Sequence, residues 1–322
     1  MISTTTRVIA IDQLRGYAIF GMVLVNSLGI FDAMPWVFKH HREGYSYADT
    51  IAPLFVFVVG MGFRISLPRR VAADGRKVAY LHAARRYGLL MVLGLLYGGF
   101  DLKVGIWDAL MDIGCAGFLA LPFLERSMCV RVLAGCVYLV LYEAVFRLTG
   151  YGAWALANTI NGGPLGTLSY TLVILLGTVA WDIVATGERR RILTATLGLG
   201  AVLVGMGWLF GAAWGEFKPF WPFSQYAMTS PYVLYSTGLC FLTLAAFYLL
   251  CDIARVRLPH LGVLGKNPLV LYLIQAGLCI LIEVVVRQDA PMFIAFAAFL
   301  MNYGVVYTVG RALDRRGIIL KL

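Results

Sequence analysis

The chain has 322 residues, of which 60% are hydrophobic and 14% are charged. This balance excludes an ordinary soluble domain, in which roughly 45–50% of residues are apolar. The formal net charge of +10 would suit nucleic acid, but the basic residues lie in short loops between apolar stretches, as membrane topology requires. The chain is therefore predicted to be an integral membrane protein that contacts the lipid bilayer and binds no nucleic acid.

Ten apolar stretches of about 18–22 residues are each long enough to cross a bilayer as a helix. The predicted fold class is an all-α, polytopic transmembrane helical bundle of about ten spans, forming a single domain over residues 1–322. The spans are placed at 16–34, 47–67, 80–100, 104–124, 130–148, 165–186, 192–213, 231–252, 267–286 and 291–312.

Lysine and arginine are unevenly divided between alternate loops, which predicts the orientation of the chain. One side holds 21 of the 27 basic residues, and the other holds Lys39, Arg42, Lys103, Arg147, Lys218 and Arg287. Both termini are therefore predicted to be cytoplasmic. The loop that contains His40 and His41 would face the other side, which is the periplasm if the protein lies in a bacterial inner membrane.

The densest group of polar residues within apolar sequence lies in the first hairpin, residues 12–64. With Gly16 as the start of the first span, Asn26 falls about 15 Å into the membrane, because a helix rises 1.5 Å per residue. A carboxamide at that depth is predicted either to hold a reacting acyl group or to make a hydrogen bond between helices.

Two histidines and an aspartate follow Asn26 in the same hairpin. Histidine side chains titrate near neutral pH, so His40 or His41 could take a proton from an attacking amine or hydroxyl, or attack as a nucleophile. The alternative is a solvated loop histidine. Asp49 begins the second span nine residues after His40. Its carboxylate is predicted to orient His40, or to be a favourable charge at a helix start.

Two other sets of charged residues are candidates for binding. Asp108 and Asp112 lie one turn apart in the fourth span, so proton handling, a cation site and pairing with an arginine are all open. Basic residues on the cytoplasmic side could hold an anionic ligand with several phosphates, or could only anchor the chain. These are Arg15, Arg64, Arg69, Arg70, Lys77 and Lys266.

The cysteine pattern favours neither a metal site nor disulfides. All six cysteines fall within or next to apolar segments, without a C-x-x-C pair and without neighbouring histidines. Such cysteines are typical of small apolar core residues. No metal site is therefore predicted.

The polar motifs resemble the transmembrane acyltransferase family that includes heparan-α-glucosaminide N-acetyltransferase and its bacterial relatives. The first hairpin carries D-x-x-R-G from Asp12 to Gly16, M-V-x-V-N ending at Asn26, F-K-H ending at His40, and A-D-x-x-x-P-x-F-x-F-x-x-G from Ala48 to Gly60. A later match, G-K-N-P-L-x-x-Y, runs from Gly265 to Tyr272. The chain departs from the family pattern after His40, where it is one residue shorter and lacks a tryptophan, and at Asp112, where the family has an arginine.

The resemblance implies a membrane-embedded acetyltransferase with acetyl-CoA as acyl donor. Acetyl-CoA would enter from the cytoplasm, and its acetyl group would pass to a saccharide acceptor of the glucosamine type outside. The resemblance assigns His40 as general base or transient acetyl carrier, with His41 as the alternative. It assigns Asn26 to the thioester carbonyl and Asp49 as the partner of His40. The cofactor-binding candidates are then Arg15, Arg64, Lys266 and Asn267.

The principal alternative is a transporter or flippase for a lipid-linked or acylated sugar, which would use the same polar core without forming a bond. The sequence leaves open the identity of the acceptor, N- or O-acylation and the length of the acyl chain. It also leaves open direct transfer or an acetyl-histidine intermediate, and the oligomeric state, for which a homodimer is one alternative.

Overall fold

The computed structural model describes residues 8–101, 105–212 and 222–320. The regular elements in these ranges are all helices, which agrees with the predicted all-α class. The α-helices are α1 (Ile9–Leu28), α2 (Ala48–Asp74), α3 (Arg76–Tyr97), α4 (Ala109–Ala120), α5 (Met128–Leu148), α6 (Tyr151–Asn158), α7 (Gly163–Val184), α8 (Arg189–Gly211), α9 (Ser230–Phe247), α10 (Pro259–Leu264), α11 (Pro268–Val285) and α12 (Met292–Arg315).

Seven helices in the described ranges are long and apolar enough to cross a membrane: α2, α5, α7, α8, α9 with its π-helical extension to Ile253, α11 and α12. This supports an integral membrane protein. The predicted count of about ten spans also needs α1, α3 and α4. Helix α4 has only 12 residues, while charged residues lower the apolar character of α1 and α3 at their starts.

Several predicted boundaries differ from the helices. Helix α1 begins at Ile9 and ends at Leu28, whereas the predicted span was 16–34. Helices α6 and α10 lie in stretches predicted as loops. The first residue of the predicted span 104–124, the last of 192–213, and the counted Lys103 and Lys218 lie outside the described residues.

The early start of α1 has a physical cause in a distant part of the chain. The carboxylate of Asp252 accepts hydrogen bonds from the main-chain N–H groups of Ile9 and Ala10 at 3.1 and 2.8 Å. The first N–H groups of a helix have no partner within the helix, and the helix dipole favours a negative charge there. Asp252 therefore lets α1 begin one to two turns before the apolar stretch does.

The chain divides into two compact units. Unit 1 comprises Met1–His40, Ser46–Phe55 and Thr243–Leu322. Within it, α1 packs against α10, α11 and α12. The ring of Phe20 makes edge contacts with Phe299 and Tyr303 of α12, and the Asn302 amide donates to the Ser27 hydroxyl at 3.0 Å. Aromatic packing and a buried polar bond thus fix α1 against α12.

Unit 2 comprises His41–Tyr45 and Val56–Leu242. Within it, α7 packs against α4 and α5, and α3 packs against α4. A side chain at Gly60 or Gly177 would overlap a main-chain carbonyl of the facing helix, at 2.2 Å from Ile174 O and 2.1 Å from Phe57 O. These glycines allow α2 and α7 to approach closely within the unit.

Candidate active site

His40 and Asp49 are brought together at one end of unit 1. His40 follows a short 3₁₀ turn at Trp36–Phe38, and Asp49 lies in the first turn of α2. The Nδ1 atom of His40 is 2.7 Å from Oδ1 of Asp49. The histidine side chain is 34% exposed and the aspartate side chain is fully buried. A surface-facing imidazole is thus held from behind by a buried carboxylate.

The pairing determines which nitrogen of His40 carries the proton. A carboxylate oxygen only accepts hydrogen bonds, so the proton of the neutral imidazole lies on Nδ1. No group in the described ranges hydrogen-bonds Nε2 of His40. The geometry therefore leaves the Nε2 lone pair available to take a proton or to attack an acyl carbon.

Ser46 fixes the carboxylate of Asp49 and had not been identified from the sequence. Its main-chain N–H donates to Oδ2 of Asp49 at 2.8 Å, and its hydroxyl lies 3.0 Å from the same oxygen. The Ser46 hydroxyl also lies 2.7 Å from the main-chain oxygen of Lys39. The three-residue spacing from Ser46 to Asp49 is a helix-start signature, so the sequence did contain a signal for this contact.

Asn26 lies in the last turn of α1. The Cα of Gly29 approaches the loop that precedes His40, since a side chain at Gly29 would lie 3.2 Å from the main-chain oxygen of Phe38. Asn26 is half-buried, and no group in the described part of the chain hydrogen-bonds its carboxamide. The helix end that carries Asn26 is thus packed against the turn that leads to His40, with an amide available for a ligand.

His41 differs from His40 in its surroundings. It belongs to the short segment His41–Tyr45 of unit 2, and it is half-buried. The main-chain N–H of Gly44 in this segment donates to Phe223 O at 2.9 Å. The side chain of Arg42 donates to two carbonyl oxygens, those of Leu156 and Ala157, at 2.6 and 2.7 Å. The two neighbouring histidines therefore belong to different units.

The opposite end of α1 joins two motifs that are distant in the sequence. A side chain at Gly16 would lie 1.8 Å from the main-chain oxygen of Leu261, and one at Gly265 would lie 2.2 Å from that of Asp12. Both distances are far below van der Waals contact. The D-x-x-R-G and G-K-N-P motifs therefore touch through their glycines, and Arg15 and Lys266 flank this contact.

The predicted cofactor-binding residues of unit 1 have partners within the protein. Arg15 lies 3.6 Å from the carboxylate of Asp12, and Lys266 forms an ion pair with Asp314. The carboxamide of Asn267 donates to Ile318 O at 3.0 Å and accepts from Leu320 N at 2.8 Å. Asn267 thus anchors the segment after α12, a contact that the sequence did not reveal.

Arg64 lies in unit 2, where it belongs to a charged group. Its guanidinium donates to Asp182 Oδ1 at 2.9 Å and to the main-chain oxygen of Leu124. The fully buried Arg131 also pairs with Asp182 and donates to the Thr178 hydroxyl at 2.6 Å. Because two arginines share one carboxylate, this group carries a net positive charge.

Comparison with known proteins places the chain in a family. The family model described as "Heparan-alpha-glucosaminide N-acetyltransferase, catalytic" matches residues 7–208, which is more than half of the chain and includes Asn26, His40, Asp49 and Arg64. An "Uncharacterized 39.9 kDa protein in amylase 3'region" of Bacillus acidopullulyticus is 28% identical over 152 residues. That alignment covers 45% of this chain and 42% of the relative, so the chain spans less than half the length of this curated protein. On the strength of the family match, the chain belongs to the heparan-α-glucosaminide N-acetyltransferase catalytic family.

Proposed function

We propose that the protein is a membrane-embedded acyltransferase that moves an acetyl group from acetyl-CoA to an amino sugar or saccharide. Membership of the family supports a transferase, and the apolar helices support its place in a membrane. The observation that carries the proposal is the imidazole of His40, held at Nδ1 by a buried carboxylate with Nε2 left available.

Nε2 of His40 is the proposed base. It takes the proton of the acceptor amine or hydroxyl while the nitrogen or oxygen attacks the thioester carbonyl carbon. The new N–C or O–C bond forms as the C–S bond breaks, and CoA leaves as a thiolate that receives the proton from His40. In the alternative sequence Nε2 attacks the carbonyl carbon first, and CoA leaves as a thiolate. The acceptor then attacks the acetyl carbon, the Nε2–C bond breaks, and Nε2 takes the proton that the acceptor loses. Asp49 stabilises the protonated imidazole in the direct route.

Asn26 is the proposed ligand of the thioester carbonyl. Its amide N–H can donate to the oxygen that gains negative charge in the transition state. The side chain is half-buried on α1 and has no described partner, so a bound acyl group would not have to displace a protein bond. Asn26 would therefore stabilise the negative charge on the carbonyl oxygen, and His40 would transfer the proton.

The phosphates of acetyl-CoA are proposed to bind near the start of α1. Arg15 and Asn26 are eleven residues apart, which is about 16 Å along a helix. A donor anchored by its phosphates at Arg15 and Lys266 could extend its arm along α1 toward Asn26. Phosphate oxygens would then replace the carboxylates of Asp12 and Asp314 as the partners of Arg15 and Lys266. Asn267, which is also in unit 1, is a further proposed contact of this ligand, and the assignment of Arg64 stays a prediction from the sequence.

The proposed membrane topology rests on the uneven distribution of basic residues between alternate loops. The proposed arrangement has about ten spans, with α1, α3 and α4 among them, and both termini in the cytoplasm. Acetyl-CoA would bind from the cytoplasm, and His40 would face the periplasm of a bacterial inner membrane. We propose that residues 1–322 act as one acyltransferase domain, because the hairpin 12–64 contributes to both compact units.

A transfer assay tests this function. The purified protein in lipid nanodiscs is incubated with acetyl-CoA carrying a radioactive acetyl group, with and without glucosamine. We expect labelled acetylglucosamine to accumulate with wild-type protein. It should also accumulate with His82→Ala, a control for replacing a histidine, because His82 is an exposed residue of α3 outside the proposed site. Bound acetyl-CoA without any acetylated sugar would contradict the glucosamine-type acceptor. Uptake of labelled sugar into proteoliposomes without transfer would favour the transporter.

A further inference from the structure

Asp112 is the most unusual buried polar residue of unit 2. Its side chain has no exposed surface, and neither carboxyl oxygen has a hydrogen-bond partner within the described residues. No described arginine or lysine pairs with it, so the arginine pairing that the sequence left open is absent from this part of the chain. A buried carboxyl group without partners destabilises a fold, and in membrane proteins such groups commonly serve binding or transport.

The start of α4 carries two acidic residues, Asp108 and Asp112. Asp108 precedes the helix and is half-exposed, and its main-chain oxygen accepts the N–H of Asp112 at 3.0 Å. The two carboxyl groups are one turn apart. A helix N-terminus favours a carboxylate, but this effect offsets only part of the cost of full burial. One carboxyl group thus lies at the half-exposed start of α4, and the other is buried one turn further along the helix.

Tyr151 of α6 lies within electrostatic reach of Asp112. Burial raises the pKa of Tyr151 to about 12; the N–H of Leu165 lowers the pKa, and the Asp112 carboxyl adds to the rise. The Tyr151 hydroxyl already donates to the main-chain oxygen of Gly162 and accepts from Leu165 N at 3.0 Å. Its proton is therefore unavailable to Asp112.

Other side chains of unit 2 also have buried oxygens without a partner among the described residues. The hydroxyl of Tyr170 on α7 donates to Asn161 Oδ1 at 3.1 Å, and Gln225 Nε2 lies 3.5 Å from the same oxygen. Oε1 of Gln225 and the hydroxyl of Ser169 are buried and have no partner among the described residues. Gln225 Oε1 can only accept a hydrogen bond or bind a cation, whereas the Ser169 hydroxyl can donate as well as accept.

We propose that Asp112 is the counter-ion of a binding site for a small monovalent cation, either an alkali metal ion or the ammonium group of an amine. Hard cations take oxygen ligands, and an ammonium group has N–H donors but no acceptor. In the proposed site the further oxygen ligands are the buried, unpaired oxygens of Gln225 and Ser169, which belong to the same unit. The proposal concerns binding alone, so it can fail while acetyl transfer stands, and acetyl transfer can fail while it stands.

Thermal unfolding of the full chain in nanodiscs tests the site. The salt is choline chloride, replaced stepwise by sodium chloride or methylammonium chloride at constant ionic strength. Binding to the folded state stabilises it by RT ln(1 + [L]/Kd), where [L] is the cation concentration. With at least one of the two cations we expect the midpoint of unfolding to rise once the concentration exceeds Kd, and then to grow with the logarithm of the concentration. A response to sodium identifies an alkali ion site, and a response to methylammonium alone identifies an amine site.

Variants connect the response to Asp112. In Asp112→Asn the cation concentration needed for a given shift of the midpoint should rise at least about 30-fold, as expected for losing one partner of a buried charge pair. Asp289→Asn, which removes an exposed carboxylate paired with Arg287, should respond like wild type. If Asp112→Asn does not fold, Asp112→Glu keeps the charge and should keep the response, while Ser169→Ala should weaken it.

Two results would overturn the proposal. One is a wild-type protein whose unfolding midpoint is the same in choline, sodium and methylammonium chloride. The other is a shift that persists unchanged in Asp112→Asn, or, where that variant does not fold, a shift that Asp112→Glu abolishes and Ser169→Ala leaves intact.

Discussion

Replacement of Asp49 by asparagine tests the proposed proton path of His40 with little change in shape. A carboxylate accepts from Ser46 N–H at one oxygen and from His40 Nδ1 at the other. A carboxamide has one oxygen, and the Ser46 N–H will keep it because a buried N–H without an acceptor is costly. The amide NH₂ group then faces Nδ1, so Nδ1 must accept and the proton moves to Nε2.

The shifted proton should abolish the base without unfolding the protein. With Nε2 protonated, His40 cannot take the acceptor proton, and kcat should fall about 10²–10⁴-fold, the range for loss of a general base or of its correct tautomer. Two charge-assisted hydrogen bonds become neutral ones, which costs about 1 kcal/mol each. The loss of stability is therefore about 2 kcal/mol, and the affinity for acetyl-CoA should be unchanged.

The assay is release of free CoA thiol from acetyl-CoA in the presence of glucosamine, with protein in nanodiscs. Ser46→Ala is the matched control, because it removes the hydroxyl near Asp49 but keeps the main-chain N–H. It should reduce kcat far less than Asp49→Asn does, because the carboxylate and the Nδ1 proton of His40 both stay in place. A folded Asp49→Asn protein with wild-type kcat would refute the role of the His40–Asp49 pair.

Two further predictions concern the two ends of α1. Asn26→Ala should lower kcat about 10²–10³-fold with a nearly unchanged KM for acetyl-CoA, as for loss of one oxyanion donor. Its control is Asn158→Ala, which changes an exposed asparagine and should have wild-type kinetics. A normal kcat in Asn26→Ala would show that Asn26 does not bind the thioester carbonyl. Gly16→Ala should lower the midpoint of thermal unfolding by an overlap worth about 1–3 kcal/mol, because its Cβ would lie 1.8 Å from Leu261 O. Gly277→Ala, with no atom within 4 Å, is its control, and equal midpoints for the two would contradict the close packing.

The sequence was sufficient where the decisive contact is local. Hydropathy located a helix in each of the ten predicted stretches, because apolar length is a property of each segment alone. His40 and Asp49 are nine residues apart, and α2 begins at Ala48. Asp49 is therefore in the first turn of α2, next to the loop that carries His40. Their geometry therefore followed from chain order and spacing.

Contacts between distant segments could not be predicted. The start of α1 was placed too late because Asp12 and Arg15 lower its apolar character, while the acceptor for its first N–H groups, Asp252, is more than 240 residues away. The sequence likewise showed Gly16 and Gly265 as separate motifs. Only the folded chain reveals that Gly265 admits the carbonyl of Asp12, and that Gly16 admits the carbonyl of Leu261 in the helix just before Gly265.

The cofactor-binding candidates show a second limit of the sequence. Arg15, Arg64 and Lys266 were selected as basic residues on one side of the membrane, and a count of charges cannot reveal their partners. Lys266 pairs with Asp314 and Arg64 with Asp182. Each pair joins residues at least 48 positions apart. An anionic ligand must therefore compete with carboxylates that the sequence pattern did not connect to these cations.

Acceptor-dependent release of CoA, compared between His40→Ala and His41→Ala, tests the central claim most directly. Both variants are first shown to bind acetyl-CoA like wild type. The account predicts that His40→Ala loses glucosamine-dependent release by at least about 10²-fold, as for removal of a general base, while His41→Ala keeps most of it. Release that persists in His40→Ala and disappears in His41→Ala would contradict the assignment, and release that persists in both would remove histidine from the mechanism.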